Sequence, residues 1–117
     1  MIWNKNLEVF KDKKLAVDFD GTIVSDKFPE IGEPNLEFIE WLKKCKENGC
    51  RLVLWTCRNN TCPSCPNVLT EAVEFCRSLG LIFDAVNENL PEVQEKWKGD
   101  TRKVMVDYYI DDKAIVM

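Results

Sequence analysis

Short apolar runs alternate with stretches of helical spacing along this chain, and the alternation sets the expected elements. Residues 14–18, Lys-Leu-Ala-Val-Asp, are apolar until they end abruptly in acid, and Gly21 follows; the spacing predicts a buried strand and then a turn. Residues 51–56, Arg-Leu-Val-Leu-Trp-Thr, predict a second strand, 83–86 a third and 104–110 a last one before Asp111 and Asp112. Between them lie helical patterns. Leu36, Phe38, Ile39, Trp41 and Leu42 recur at helical spacing behind Asn35, a favourable N-cap. Lys43, Lys44 and Lys46 gather at the far end of that helix, where positive charge suits the dipole, and Asn48-Gly49 stops it. Leu69, Val73, Cys76 and Leu79 share one face of a second helix over 68–79, which Gly80 ends, and a short helix begins near Pro91 within 90–97. Residues 25–34, with two prolines, form a small flap, and 59–67 an irregular loop.

Strands that are continuous apolar runs, alternating with helices, predict an α/β fold with a mostly parallel buried sheet. The expected architecture is a three-layer sandwich around a Rossmann-like sheet, with the first strand central. A chain of 117 residues has room for one core, so residues 1–117 form a single domain. Trp41 and Trp55 fall in apolar patterns and are expected in the core; Trp3 and Trp97 fit either a packing role or an exposed anchor.

Charge and composition narrow the function. A net charge of −4 with no long Lys/Arg run argues against general nucleic-acid binding. No stretch is apolar for long enough to span a membrane, and charges interrupt the first 14 residues, so a cytoplasmic location is expected. Histidine is absent, which removes Ser-His, Cys-His and His-metal chemistry and leaves carboxylates, thiols, hydroxyls and lysine. Six cysteines are present, Cys45, Cys50, Cys57, Cys62, Cys65 and Cys76. Cys62-Pro63-Ser64-Cys65 admits a zinc site completed by Cys57 and Cys76, a disulfide, or free thiols; the single Cys-x-x-Cys and the lack of an export signal favour free thiols.

In open parallel sheets, ligands bind beyond the carboxyl ends of the strands. Asp18, Asp20, Thr56, Asp111 and Asp112 all fall at such ends, and Lys103 shortly precedes the last strand. Acids gathered in one place repel one another unless a cation neutralises them, and hard oxygen ligands without histidine favour magnesium.

Asp18-Phe19-Asp20-Gly21-Thr22 behind an apolar strand resembles the first motif of the haloacid dehalogenase-like (HAD) hydrolases. Thr56 resembles the second, Lys103 stands in the place of the third, and Ile110-Asp111-Asp112 resembles the fourth, in the family's order and over nearly the whole chain. The resemblance implies a magnesium-dependent phosphatase in which Asp18 is the nucleophile and forms an aspartyl-phosphate, while Asp20 serves as general acid and then base. It implies that Thr56 and Lys103 hold the phosphoryl oxygens. Asp18, the backbone carbonyl of Asp20, Asp111 and, directly or through water, Asp112 are the implied metal ligands. An acid at Asp20, rather than threonine, accompanies the family's phosphatases.

The flap is too short for a cap domain, so the chain is similar to capless members, whose open sites take large substrates or are closed by neighbouring subunits. A nucleotide, a sugar phosphate and a phosphorylated macromolecule remain open as substrates, as does the oligomeric state. Two rivals stand beside this reading. One is a HAD-like domain that binds metal or phosphate in a regulatory role without turnover. The other is a phosphoacceptor receiver domain, which needs an aspartate where the middle strand ends; here that position is Thr56. Arg58 fits either a substrate contact or an ion pair with a surface acid, and Asp107 interrupts the last apolar run without an assigned role.

Overall fold

The computed structural model describes residues 6–115. Four strands, β1 (Lys14–Val17), β2 (Arg51–Leu54), β3 (Ala85–Val86) and β4 (Tyr108–Ile110), form one parallel sheet in the order β3-β2-β1-β4. The first strand is therefore interior, as its apolar sequence requires. Register aligns Val17 with Leu54 on one side and with Ile110 on the other. Three parallel strands thus reach the same end of the sheet together, and whatever follows them converges.

Among the described residues, three α-helices complete the fold, α1 (Leu36–Glu47), α2 (Val68–Ser78) and α3 (Pro91–Trp97), with one 3₁₀ turn at Leu7–Phe10. The Asn35 side chain accepts from Phe38 N at 3.2 Å and starts α1, and Lys44 and Lys46 occupy its last turn. Strand residues alternate between two faces. Leu15, Val17, Leu52 and Leu54 face one way and pack with Phe38, Ile39, Trp41, Leu42 and Cys45 of α1 and with Ala72 and Cys76 of α2. Ala16, Val53 and Ala85 face the other way and meet Leu90, Val104 and the half-buried Val93 of α3. The layers are three, as expected, but unequal. The α1–α2 side carries most of the buried apolar surface, and each large side chain there contributes about 1.5–3 kcal/mol of transfer free energy.

Two strands are shorter than their apolar runs suggest. At β3, the Asp84 carboxylate accepts from Leu52 N at 2.8 Å, so a side chain takes a position that a strand backbone would fill. At β4, Asp107 starts the pairing: its Oδ2 accepts from Lys14 N at 2.7 Å, and its own N donates to Lys14 O at 2.8 Å. Val104 and Val106 earlier in that run pack against the α3-side core from coil instead. The role of Asp107 is thereby given. Trp41 is buried, Trp55 half-buried and Trp97 exposed; Trp3 lies outside the described residues. No helix among the described residues is long and apolar enough to cross a membrane.

Candidate active site

The ladder runs one residue past the strands and fixes the site. Asp18 N donates to Ile110 O at 3.0 Å, and Trp55 N donates to Val17 O at 2.9 Å. Asp18 therefore stands beside Asp111 and Asp112, with Thr56 on the neighbouring strand end. One carboxylate oxygen each from Asp18, Asp111 and Asp112 lie within 4.8 Å of one another. Asp18 is half-buried and the other two are exposed.

Gly21 makes room for this cluster. Its φ is +85°, and a Cβ there would lie 2.2 Å from Asp112 Oδ2. A side chain at this position would push Asp112 away and strain the backbone.

The charges show what the cluster lacks. Burial pushes the Asp18 carboxyl up to about 7 from its ordinary 3.8, and a hydrogen bond with Asp112 and the charges of Asp111 and Asp112 add to the rise. At Asp112 burial also acts upward, but hydrogen bonds with Asp18 and Lys113 outweigh it and hold that carboxyl below its ordinary range. Asp18 is thus the acid of the three that most resists ionisation beside its neighbours. Three oxygens of this kind, with no nitrogen or sulfur among them, match the donor preference of magnesium, and the Gly21 opening keeps Asp112 in place. The residues present fit that metal.

Asp20 lies outside the cluster. Its carboxylate forms a bidentate ion pair with Arg58, Nε to Oδ2 and Nη2 to Oδ1, both at 2.8 Å. Arg58 is only 1% exposed. It also donates to the carbonyls of Val68 (3.0 Å), Glu30 (2.9 Å) and Pro29 (3.4 Å), so it joins the flap, the start of α2 and the first loop. Neither expectation for Arg58, substrate contact or surface ion pair, describes this residue: its acid partner belongs to the site. Arginine directly beyond a predicted strand end, two residues from Thr56, was the available signal.

Thr56 helps to aim Arg58 inward. Its Oγ1 accepts from Arg58 N at 3.1 Å, and its own N donates to Asn87 Oδ1 at 2.9 Å. Asn87, at φ 54°, returns a bond from Nδ2 to Arg58 O at 3.2 Å. The Thr56 hydroxyl proton finds no acceptor among the described residues.

The structure does not bring Lys103 to the carboxylates. Its ammonium lies over the Tyr109 ring, 5.5 Å from the centroid, in a depression shared with Lys14 and Asp107 at the amino ends of β1 and β4. The physical reason is the coil before β4: Thr101 Oγ1 donates to Lys103 O at 2.7 Å, and Tyr109 OH donates to Val104 O, which fixes this segment on the α3 side. The lysine beside the acids is Lys113, whose Nζ is 3.4 Å from Asp112 Oδ2 and whose N donates to Asp111 Oδ1 at 2.8 Å. Its position immediately after Asp111-Asp112 was the sequence signal.

The cysteines do not converge into a four-thiolate site. Cys76 is buried in the core with Cys45 and Cys50, whereas Cys57, Cys62 and Cys65 line a surface depression. All six are unbridged.

No family model matches the chain, and no curated protein does. Among solved structures, a conserved protein coded by a locus of Bacteroides thetaiotaomicron is 40% identical, superposes with a TM-score of 0.74, and is matched over 88% of this chain and 78% of that one. At that identity and coverage, the chain belongs to the same protein family as this conserved Bacteroides protein.

Proposed function

We propose that the chain is a magnesium-dependent phosphoester hydrolase of the HAD-like type, acting through an aspartyl-phosphate on Asp18. The observation that carries this reading is the cluster of Asp18, Asp111 and Asp112, three carboxylates at the carboxyl ends of two adjacent parallel strands with too little positive charge around them. Asp18, the backbone carbonyl of Asp20, Asp111 and Asp112 would hold the magnesium. Bound there, it supplies charge neutralisation for the carboxylates and for the phosphoryl oxygens.

An Asp18 oxygen attacks phosphorus, and the bond to the leaving oxygen breaks with its electron pair going to that oxygen. Asp20 supplies the proton that the leaving oxygen takes. Asp20 then accepts a proton from the water whose oxygen attacks phosphorus, which releases inorganic phosphate and restores Asp18. The Thr56 hydroxyl and the Lys113 ammonium offset the phosphoryl charge. Arg58 is a positioning residue for Asp20: it takes one acceptor site on each oxygen and leaves the others for the proton that moves.

That ion pair also favours a second reading, in which the site binds metal and phosphate without turnover. Hydrolysis of an aryl phosphate with and without magnesium distinguishes the two. The catalytic reading predicts magnesium-dependent phosphate release that Asp18→Asn abolishes and Asp20→Asn lowers by about 10²–10⁴-fold. Folded, magnesium-binding protein that releases nothing from aryl phosphates, nucleotides or sugar phosphates would overturn it in favour of the second. Among the described residues no cap covers the carboxylates, so small phosphate esters and phosphorylated macromolecules both have access to them.

A further inference from the structure

Cys62 and Cys65 bracket a single turn. Cys65 N donates to Cys62 O at 3.2 Å, the bond that closes a four-residue turn. Such a turn holds its end Cα atoms within about 7 Å, and a disulfide spans about 4.4–6.8 Å between them. Pro63 occupies the second position, where its fixed φ suits the turn. The backbone is therefore already shaped for a bridge that it does not contain.

The two thiols are also unlike each other. Cys62 Sγ lies 3.3 Å from Ser64 Oγ. Hydrogen bonds from Cys65 and then Ser64 bring the Cys62 thiol down to about 7, whereas the same bond to Cys62 pushes Cys65 up. Cys62 is the more readily ionised of the two, which is the division of labour between an attacking and a resolving thiol. By contrast, burial pushes Cys45 and Cys76 up to about 12. Both Cys62 and Cys65 line a depression of about 550 Å³ opposite Phe28 and Pro29 of the flap, so a small molecule reaches them.

We propose that Cys62 and Cys65 form a thiol–disulfide exchange site for low-molecular-weight disulfides of the glutathione type. The Cys62 thiolate attacks one sulfur of the small disulfide; a new S–S bond forms, the old one breaks, and one small thiolate leaves with the electron pair. Cys65 then gives up its proton and attacks the Cys62 sulfur, which expels the second small thiolate. Two cysteine thiols become one intramolecular disulfide, and one small disulfide becomes two small thiols.

The turn is also wired to the carboxylate site. Val68 N donates to Cys65 O at 3.4 Å, and Val68 O accepts from Arg58, the partner of Asp20. The exchange chemistry itself is independent of any hydrolytic activity.

The test uses the reduced full chain and oxidised glutathione, with acid quenching, alkylation and peptide mapping over time at pH 7. In wild type, two of the six thiols are expected to disappear and a Cys62–Cys65 disulfide to form. Cys65→Ser is expected to stop at a Cys62–glutathione mixed disulfide, and Cys62→Ser to react about tenfold more slowly. A bridge involving Cys57, or wild-type Cys62 reacting no faster than Cys57, would overturn the proposal without reference to either variant.

Discussion

Asp18 and Asp20 sit two residues apart on one loop, yet they meet opposite surroundings. Asp20 receives a buried guanidinium on both of its oxygens. Asp18 receives two more carboxylates and, at a distance, one largely exposed lysine that bonds Asp112 instead. Residues that fold this way could have paired every acid, because Arg58 shows that the loop accommodates a buried cation. Instead, one acid is locked and three are left crowded. Crowded acids cost stability in the absence of a cation, and the fold keeps them crowded through the β1–β4 register and the missing side chain of Gly21. The difference teaches that a carboxylate's role is set by its partners rather than by its place in a motif.

Removing the compensated side should have the largest effect. Arg58→Met leaves Asp20 half-buried without its partner and three carbonyls without their donor, and a loss of about 3–5 kcal/mol is expected in urea unfolding. A loss below about 1 kcal/mol would mean that the ion pair is not formed in solution.

The two lysines sharpen the other side. Lys113→Met is expected to lower phosphate release about tenfold or more, since it removes the cation beside Asp112. Lys103→Met, over the Tyr109 ring, should leave the rate nearly unchanged. The reverse order would return the phosphate contact to Lys103.

Gly21→Ala strikes the cluster through space. The φ of +85° and the 2.2 Å approach to Asp112 predict a loss of about 1–2 kcal/mol together with weakened magnesium binding. Thermal unfolding with and without the metal checks both.

A pH slope probes the same cluster without touching its geometry. Asp18 is raised to about 7 from 3.8, so between these values the folded protein holds a proton that the unfolded chain has released. Stability of the metal-free protein should therefore fall as pH rises through that window and level off above it. The depressed Asp112 acts below the ordinary carboxylate range and does not oppose this slope. Asp18→Asn should flatten it, and magnesium should raise the melting temperature more at pH 8 than at pH 5, because it replaces the proton.

The sequence made the frame legible and the partners illegible. Short apolar runs predict β1 and its neighbours, and because those of β1 and β4 end in acid, parallel pairing brings Asp18 to Asp111 and Asp112. Apolar periodicity overruns the short β3 and β4 because Asp84 and Asp107 bond backbone groups with their side chains, which periodicity does not register. The Arg58–Asp20 pair spans 38 residues, and no local spacing announces such a contact. Lys103 was placed by motif order, but the coil fixed by Thr101 and Tyr109 turns it to the other end of the strands. Lys113 needed only adjacency to Asp112 to be noticed.

Titration calorimetry of magnesium into the full chain tests the central claim most directly. A single site is expected in wild type, lost when Asp111 and Asp112 are both changed to Asn and kept in Asp20→Asn. Absence of binding in folded wild type, or binding that survives the double substitution, would contradict the account.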